Sequence, residues 1–190
     1  MGRPIGIKIK EIQNSVSLTQ NRRKQLEFWT DVAQKLSEKG VSSSTKIPKP
    51  KHSFNVPIGH SRFVIKNLTN FPKSHIRVSL YMRNKNKTAK LALMELMKDK
   101  DAIEKELGIE KELGIKLIWD ENPDRDSSKM IFIQRHFNFY DDEKWFEGID
   151  WMITWNEKFK NVFTQRVRNL NLPVDSVAES SEEEDFDDTN

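Results

Sequence analysis

The segment from about Asp142 to Asn169 sets the terms for the rest of this 190-residue chain. Trp145, Ile149, Met152, Phe159, Phe163 and Val167 recur at three- or four-residue steps or their sum, which places them on one face of a long helix. Trp151, Trp155 and Val162 lie beside that stripe and widen it. A helix with so broad an apolar face needs a sheet or other helices to cover it. The spacing favours core packing for Trp151 and Trp155, since large aromatics dominate burial; a surface platform for a base or a partner is the other reading. Gly148 interrupts the first turns and permits close packing. Tyr140-Asp-Asp-Glu-Lys144 opens the helix with acids, where the helix dipole favours them.

The cover for that face is legible as alternation. His75–Met82 sets Ile76, Val78, Leu80 and Met82 on one side and Arg77, Ser79 and Tyr81 on the other, the period of a half-buried strand. Arg62–Lys66, Ile115–Trp119 and Met130–Gln134 read as further strands. Leu68–Ser74, with Asn70 and Pro72, suits a turn. Ile5–Ile12 also alternates; it starts almost at Met1, as in a domain cut from a longer chain or a strand added to an existing sheet. A helix follows Thr19, a good N-cap, with Leu26, Trp29, Val32, Ala33 and Leu36 on one face, and Gly40 ends it. Residues 41–60, rich in Ser and Pro, read as an irregular connection. Helical pattern returns over Lys87–Met97 and continues through Ile103 and Leu107. Ile103-Glu-Lys-Glu-Leu-Gly108 is then repeated at once as Ile109–Gly114, too short a period for a structural repeat; it lengthens a helix end or the connection after it. The order β-α-β-β-α-β-β-α predicts an α+β fold with helices packed on a mixed or antiparallel sheet. Residues 1–173 are expected to form a single domain, with residues 1–12 as a residual connection strand.

Composition narrows the function classes. The chain has no cysteine, which excludes disulfides, thiolate metal sites and a Cys nucleophile. No apolar run approaches the roughly 18 residues of a membrane span, and the N-terminus lacks the apolar core of a cleaved signal, so a cytoplasmic protein without membrane contact is expected. Lys and Arg total 32 against 29 Asp and Glu, but residues 175–190 hold eight acids and no base. The remainder therefore carries 32 bases and 21 acids, a net +11. The acidic end, residues 174–190, has little to bury and is expected to be disordered. Its charge is opposite to that of the body, so it is a candidate to fold back and compete for the basic surface; a solvated end without that effect is the bland reading and the favoured one.

No GxxxxGK[ST], GxGxxG or HExxH occurs, and His52, His60, His75 and His136 are dispersed, so no cofactor, metal or catalytic residues are expected. A metal-dependent nuclease needs an acid near a strand end and an acid-x-Lys on the next strand. Asp120, Glu121 and Lys129 approximate that, but Asp142-Glu-Lys144 is the one acid-x-Lys near hand and it sits at a helix start. The basic residues are the better signal. Arg22, Arg23 and Lys24 fall in the first turn of a helix, where cations oppose the dipole. Lys46, Lys49 and Lys51 punctuate the Pro-rich connection, Arg62 follows it at the start of a strand, and Arg83, Lys85, Lys87 and Lys90 come after the next strand. Groups of this kind on connections are what phosphate contact requires; an ordinary Lys-rich surface is the bland reading of each group alone.

Five segments taken in order, Gln25-Leu-Glu-Phe-Trp29, Ile76-Arg-Val-Ser-Leu-Tyr81, Ile103–Gly108, Leu117-Ile-Trp119 and Trp151 to Phe163, resemble domain-of-unknown-function family 4268. The resemblance runs from about Gln20 to Asn169. It implies a domain that often follows an endonuclease-like domain of the PD-(D/E)XK type in bacterial and archaeal proteins. The family supplies no catalytic residues to carry over, and the duplicated hexapeptide departs from its usual single copy. The combined expectation is a non-catalytic accessory module that binds DNA or RNA, or docks onto an endonuclease-like domain or other DNA-acting partner of the restriction or defence kind. A protein-interaction or dimerisation module without nucleic-acid contact is the alternative, and a divergent metal-dependent nuclease the third.

Overall fold

A computed structural model describes residues 19–42, 47–84, 87–120 and 128–173. Helix α1 (Gln20–Glu38) starts where Thr19 Oγ1 accepts the Arg22 N–H, 3.4 Å. It stops at Gly40, whose φ of 66° lets the Val41 N–H turn back to the Leu36 carbonyl, 2.9 Å. Strands β1 (Ser53–His60), β2 (Phe63–Asn70) and β3 (His75–Met82) follow as a meander. Helices α2 (Thr88–Met97), α3 (Lys100–Leu107) and α4 (Ile109–Leu113) cross to the far edge. Strand β4 (Ile118–Trp119), strand β5 (Lys129–His136) and helix α5 (Trp145–Asn169) complete the order. The sheet runs β1-β2-β3-β5-β4 and every pair is antiparallel, so the α+β class is correct.

Several expectations change in detail. Residues 53–60, read as irregular, form β1: Phe54, Val56 and Ile58 alternate inward. Pro57 hides the strand in the sequence, yet an edge strand tolerates a missing N–H. The β2–β3 turn is 71–74 and not 68–74, β4 keeps only two of the five expected residues, and α2 and α3 are separated at Lys98 and Asp99. The final helix begins at Trp145, leaving Asp142 and Glu143 in the turn before it. The expected strand at Ile5–Ile12 lies outside the described residues, as does the acidic end. Each hexapeptide copy makes a helix ended by a left-handed glycine, Gly108 at φ 65° and Gly114 at φ 66°. The first copy buries Ile103 and Leu107; the second buries Ile109 but leaves Leu113 at the surface.

One hydrophobic cluster draws on all five helices and on one side of the sheet only. Ile76, Val78, Leu80 and Met82 of β3 belong to it, whereas His75, Arg77, Ser79 and Tyr81 do not. Helix α5 lies across β1, β2 and β3, and α2 against β3 and β5. Trp151 and Trp155 are buried in this cluster, as the wide helical stripe implies. Gly148 is required: a Cβ there would stand 2.2 Å from Phe137 Cε2. At the end of the sheet by the β2–β3 turn, Phe28 packs against Trp29, Phe137, Phe139 and Trp145 with ring centroids 5.3–5.9 Å apart, and Phe71 stacks on Phe139 at 3.9 Å.

Inside this apolar layer sit two fully buried amides, Asn67 of β2 and Asn156 of α5. Asn67 Nδ2 donates to Asn156 Oδ1 at 3.0 Å; Asn156 Nδ2 donates to Asn67 Oδ1 at 2.7 Å and to the Met152 carbonyl at 2.7 Å. Replacing one partner strands the other without water. Asn156→Leu is expected to lower stability by about 1–3 kcal/mol. The Asn67→Val/Asn156→Leu double variant is expected to recover part of that loss, because no amide is then orphaned. Urea unfolding of the two variants measures both.

Candidate nucleic-acid interface

The sheet separates the sequence-predicted cations into two groups. At one end, by the β2–β3 turn, lies the start of α1. Arg22 and Arg23 are exposed there, while Lys24 pairs with Asp142 at 2.9 Å and lies 4.9 Å from the centre of the Trp145 ring. Lys49 is exposed nearby, and half-buried Lys51 uses its carbonyl to accept the Trp29 indole N–H at 2.8 Å. At the other end, by the β1–β2 turn, Arg83 is exposed and its Nη1 donates to the Ser61 carbonyl at 3.0 Å. Lys87 and Lys90 follow at the start of α2, both exposed. Eight-residue strands hold the two groups about 25 Å apart. Lys46 and Lys85 lie outside the described residues.

Arg62 departs from the expected surface role. It is 6% exposed, and its Nη2 donates to the Pro173 carbonyl at 2.6 Å. The guanidinium thus fastens the residues just after α5 to the β1–β2 turn, a contact between residues too far apart in sequence to anticipate. A cation that sequence reasoning missed joins this end: Arg168 of α5. Its Nη2 lies 2.7 Å from where a Cβ would stand on Gly59, whose φ is 76°. Among the described residues, neither Arg83 nor Arg168 has a carboxylate partner. Arg166, two residues away, is paired instead: its Nη1 and Nη2 meet Glu106 at 2.9 and 2.7 Å, which lowers the Glu106 pKa and raises that of Arg166.

Between the two ends runs the side of the sheet that no helix covers among the described residues. Register places Lys66, Ser79 and Phe132 in one row, Leu68, Arg77 and Gln134 in the next, and Val64, Tyr81 and Met130 in the one before. Lys66 Nζ lies 4.6 Å from the centre of the Tyr81 ring, and Arg77 Cζ 4.2 Å from that of Phe132. Arg77 also donates from Nη2 to Gln134 Oε1 at 2.9 Å. Burial lowers the Arg77 pKa and Asp120 opposes that shift. The alternation of β3 had shown Arg77 and Tyr81 on this side; Lys66 and Phe132 needed the cross-strand register to be seen as their partners. Among the described residues no three His, Asp or Glu side chains gather as a metal site requires, and no helix is long and apolar enough to cross a membrane.

His75 begins the same side, directly across from His136. Its Nε2 is buried without a hydrogen-bond partner, and its pKa is lowered, chiefly by burial and then by the charges of Arg77 and Lys73. The unfolded chain therefore takes up this proton first as pH falls. The contribution of neutral His75 to stability is complete above the unfolded value near 6.5 and is lost as pH drops from there toward the folded value. Urea midpoints are expected to fall between about pH 7.5 and pH 5.5, with a smaller fall in His75→Gln.

Comparison with known proteins adds one assignment. No curated protein and no solved structure matches the chain. The family model described as "Domain of unknown function (DUF4268)" matches residues 24–167, which hold all five helices but the ends of the first and last, and the whole sheet. The chain belongs to that family.

Proposed function

We propose that this domain is a non-catalytic, cytoplasmic module that binds nucleic acid as an accessory to a DNA-acting partner of the restriction or defence kind. The observation that carries the reading is the placement of Arg83 and Arg168 together at one end of the sheet, without carboxylate partners among the described residues, with Lys87 and Lys90 following in the chain. Phosphates would supply the missing counter-charge. Arg22 and Arg23 offer a second contact at the far end. The partner and its restriction or defence setting come from the family resemblance.

Docking to a protein is the second reading. Leu91 and Met94, one turn apart on α2, are 47% and 53% exposed and would suit an apolar contact. Salt separates the two, because phosphate contact weakens steeply with ionic strength and apolar contact does not.

Arg83→Ala with Arg168→Ala is expected to weaken DNA binding and to flatten the log-log salt slope by about 2, near 0.9 per lost duplex phosphate contact. Fluorescence anisotropy at several salt concentrations reads this; unchanged affinity with an intact fold rules the pair out. Purified protein with Mg²⁺ or Mn²⁺ is expected to leave DNA uncut, and cleavage abolished by Asp120→Ala would overturn the non-catalytic reading. Arg62 holds Pro173 at the same end, and eight acids follow it in the sequence over residues 175–190. Truncation after Pro173 is expected to tighten binding at low salt, the gap closing as salt rises.

A further inference from the structure

We infer that the outer face of α2 joins two copies of this chain as an antiparallel, two-fold pair, with Leu91 of each copy against Met94 of the other. This rests on the docking reading above, to which it assigns a partner, and is independent of nucleic-acid contact.

The composition of α2 is the first observation. Of the ten residues Thr88-Ala-Lys-Leu-Ala-Leu-Met-Glu-Leu-Met97, only Lys90 and Glu95 are charged. A helix this apolar on all sides is ordinarily covered on all sides. The domain covers one of them: Ala89, Ala92, Leu93 and Leu96 enter the core, where α2 meets β3 and β5. Leu91 and Met94 stay about half exposed. Among the described residues they are the only two exposed large apolar side chains that share an element.

The order of charges along α2 says what the cover is. A two-fold axis midway between residues 92 and 93 turns the helix end for end, and pairs each position with the one equally far on the other side. Leu91 then meets Met94 of the second copy, and Lys90 meets Glu95. Symmetry repeats both contacts, so two apolar pairs are flanked by two pairs of opposite charge. A parallel arrangement sets Lys90 beside Lys90 and Glu95 beside Glu95, which like charges oppose. Glu95 already meets Lys98 of its own helix at 2.7 Å, but both side chains are at the surface and a second cation can join them. The one like pair in the antiparallel arrangement, Lys87 with Lys98, lies a turn further out, where crossing helices diverge.

A contact of this size is weak. Two half-exposed apolar side chains and the stems of their charged neighbours bury well under the roughly 800 Å² per partner of a stable complex. The pair therefore forms at high protein concentration, or where two copies are held close together. Because α2 follows soon after Arg83, it carries two of the basic ends described above, as bivalent contact requires.

The test is sedimentation of the full chain between about 10 µM and 1 mM, where weak association is read. The unaltered protein is expected to pass from monomer toward dimer across that range. Met94→Lys, at an exposed helical position, is expected to raise the dissociation constant about tenfold or more, since it sets an unpaired charge in the apolar centre twice. Lys90→Glu alone and Glu95→Lys alone are each expected to raise it about threefold or more, because each puts like charges at both symmetric contacts. Mixed in equal amounts, these two variants are expected to regain association, because every contact between them again joins opposite charges. A monomer at all concentrations overturns the inference and leaves docking to a different protein as the second reading. A dimer that survives Met94→Lys places the interface elsewhere and overturns it too. Weakening by both charge variants without recovery in the mixture excludes the antiparallel two-fold pairing.

Discussion

Everything about the arrangement of this domain follows from how α5 sits on the sheet, and that is fixed by the reciprocal amides of Asn67 and Asn156. Apolar packing is tolerant of small slides and rotations, because methyl and ring contacts have no direction. A buried amide pair has direction. Its two hydrogen bonds survive only at one rotation of α5 about its axis and one height along β2, and every alternative leaves buried donors and acceptors unpaired. Asn156 also bonds the carbonyl of Met152 in the preceding turn, which ties the side chain to its own helix and narrows the choice further. Once α5 is so placed, Trp151, Trp155, Phe159 and Phe163 have one surface to meet, and the remaining helices gather on the same side.

The consequence is a two-layer molecule with its chemistry divided by position. The end of the sheet near Phe71 and Phe139 is an aromatic knot that anchors α1 and the start of α5. Gly148 is what lets α5 approach that knot, since Phe137 occupies the space a side chain would need. At the opposite end the same rigid frame brings together residues with no local relation: Arg62 with Pro173, Arg168 with Gly59, and Arg83 with Ser61. Such contacts close long loops, so they depend on the frame being formed first.

This division explains what was readable in advance. The α5 stripe, the inward row of β3, the caps of α1 and the tight spot at Gly148 all follow from local spacing, and each is found as expected. Strand β1 was hidden because Pro57 and Gly59 look like loop chemistry; only its position at the sheet edge makes them acceptable. The cations were legible as residue types but not as neighbours. Nothing near Arg62 in sequence announces that Pro173 will bury it, and Arg168 reads as the polar side of a helix. The pairing of Lys66 with Tyr81 and of Arg77 with Phe132 depends on the register of three strands. Local pattern sees one strand at a time, so the surface with the richest chemistry was the one least visible.

Aromatic rings on the side of a sheet that no described helix covers carry a cost that must be met somehow. Left bare, rings and aliphatic groups side by side invite self-association. A lysine or arginine laid across each ring reduces that hazard: its methylenes cover apolar surface and its charge keeps copies of the chain apart. The same cover is easily lifted, because a cation–π contact at a wet surface is worth only about 0.5–1 kcal/mol. The two cations lie 4.6 and 4.2 Å from the centres of the rings they cover, and the register of β2, β3 and β5 holds both pairs in place.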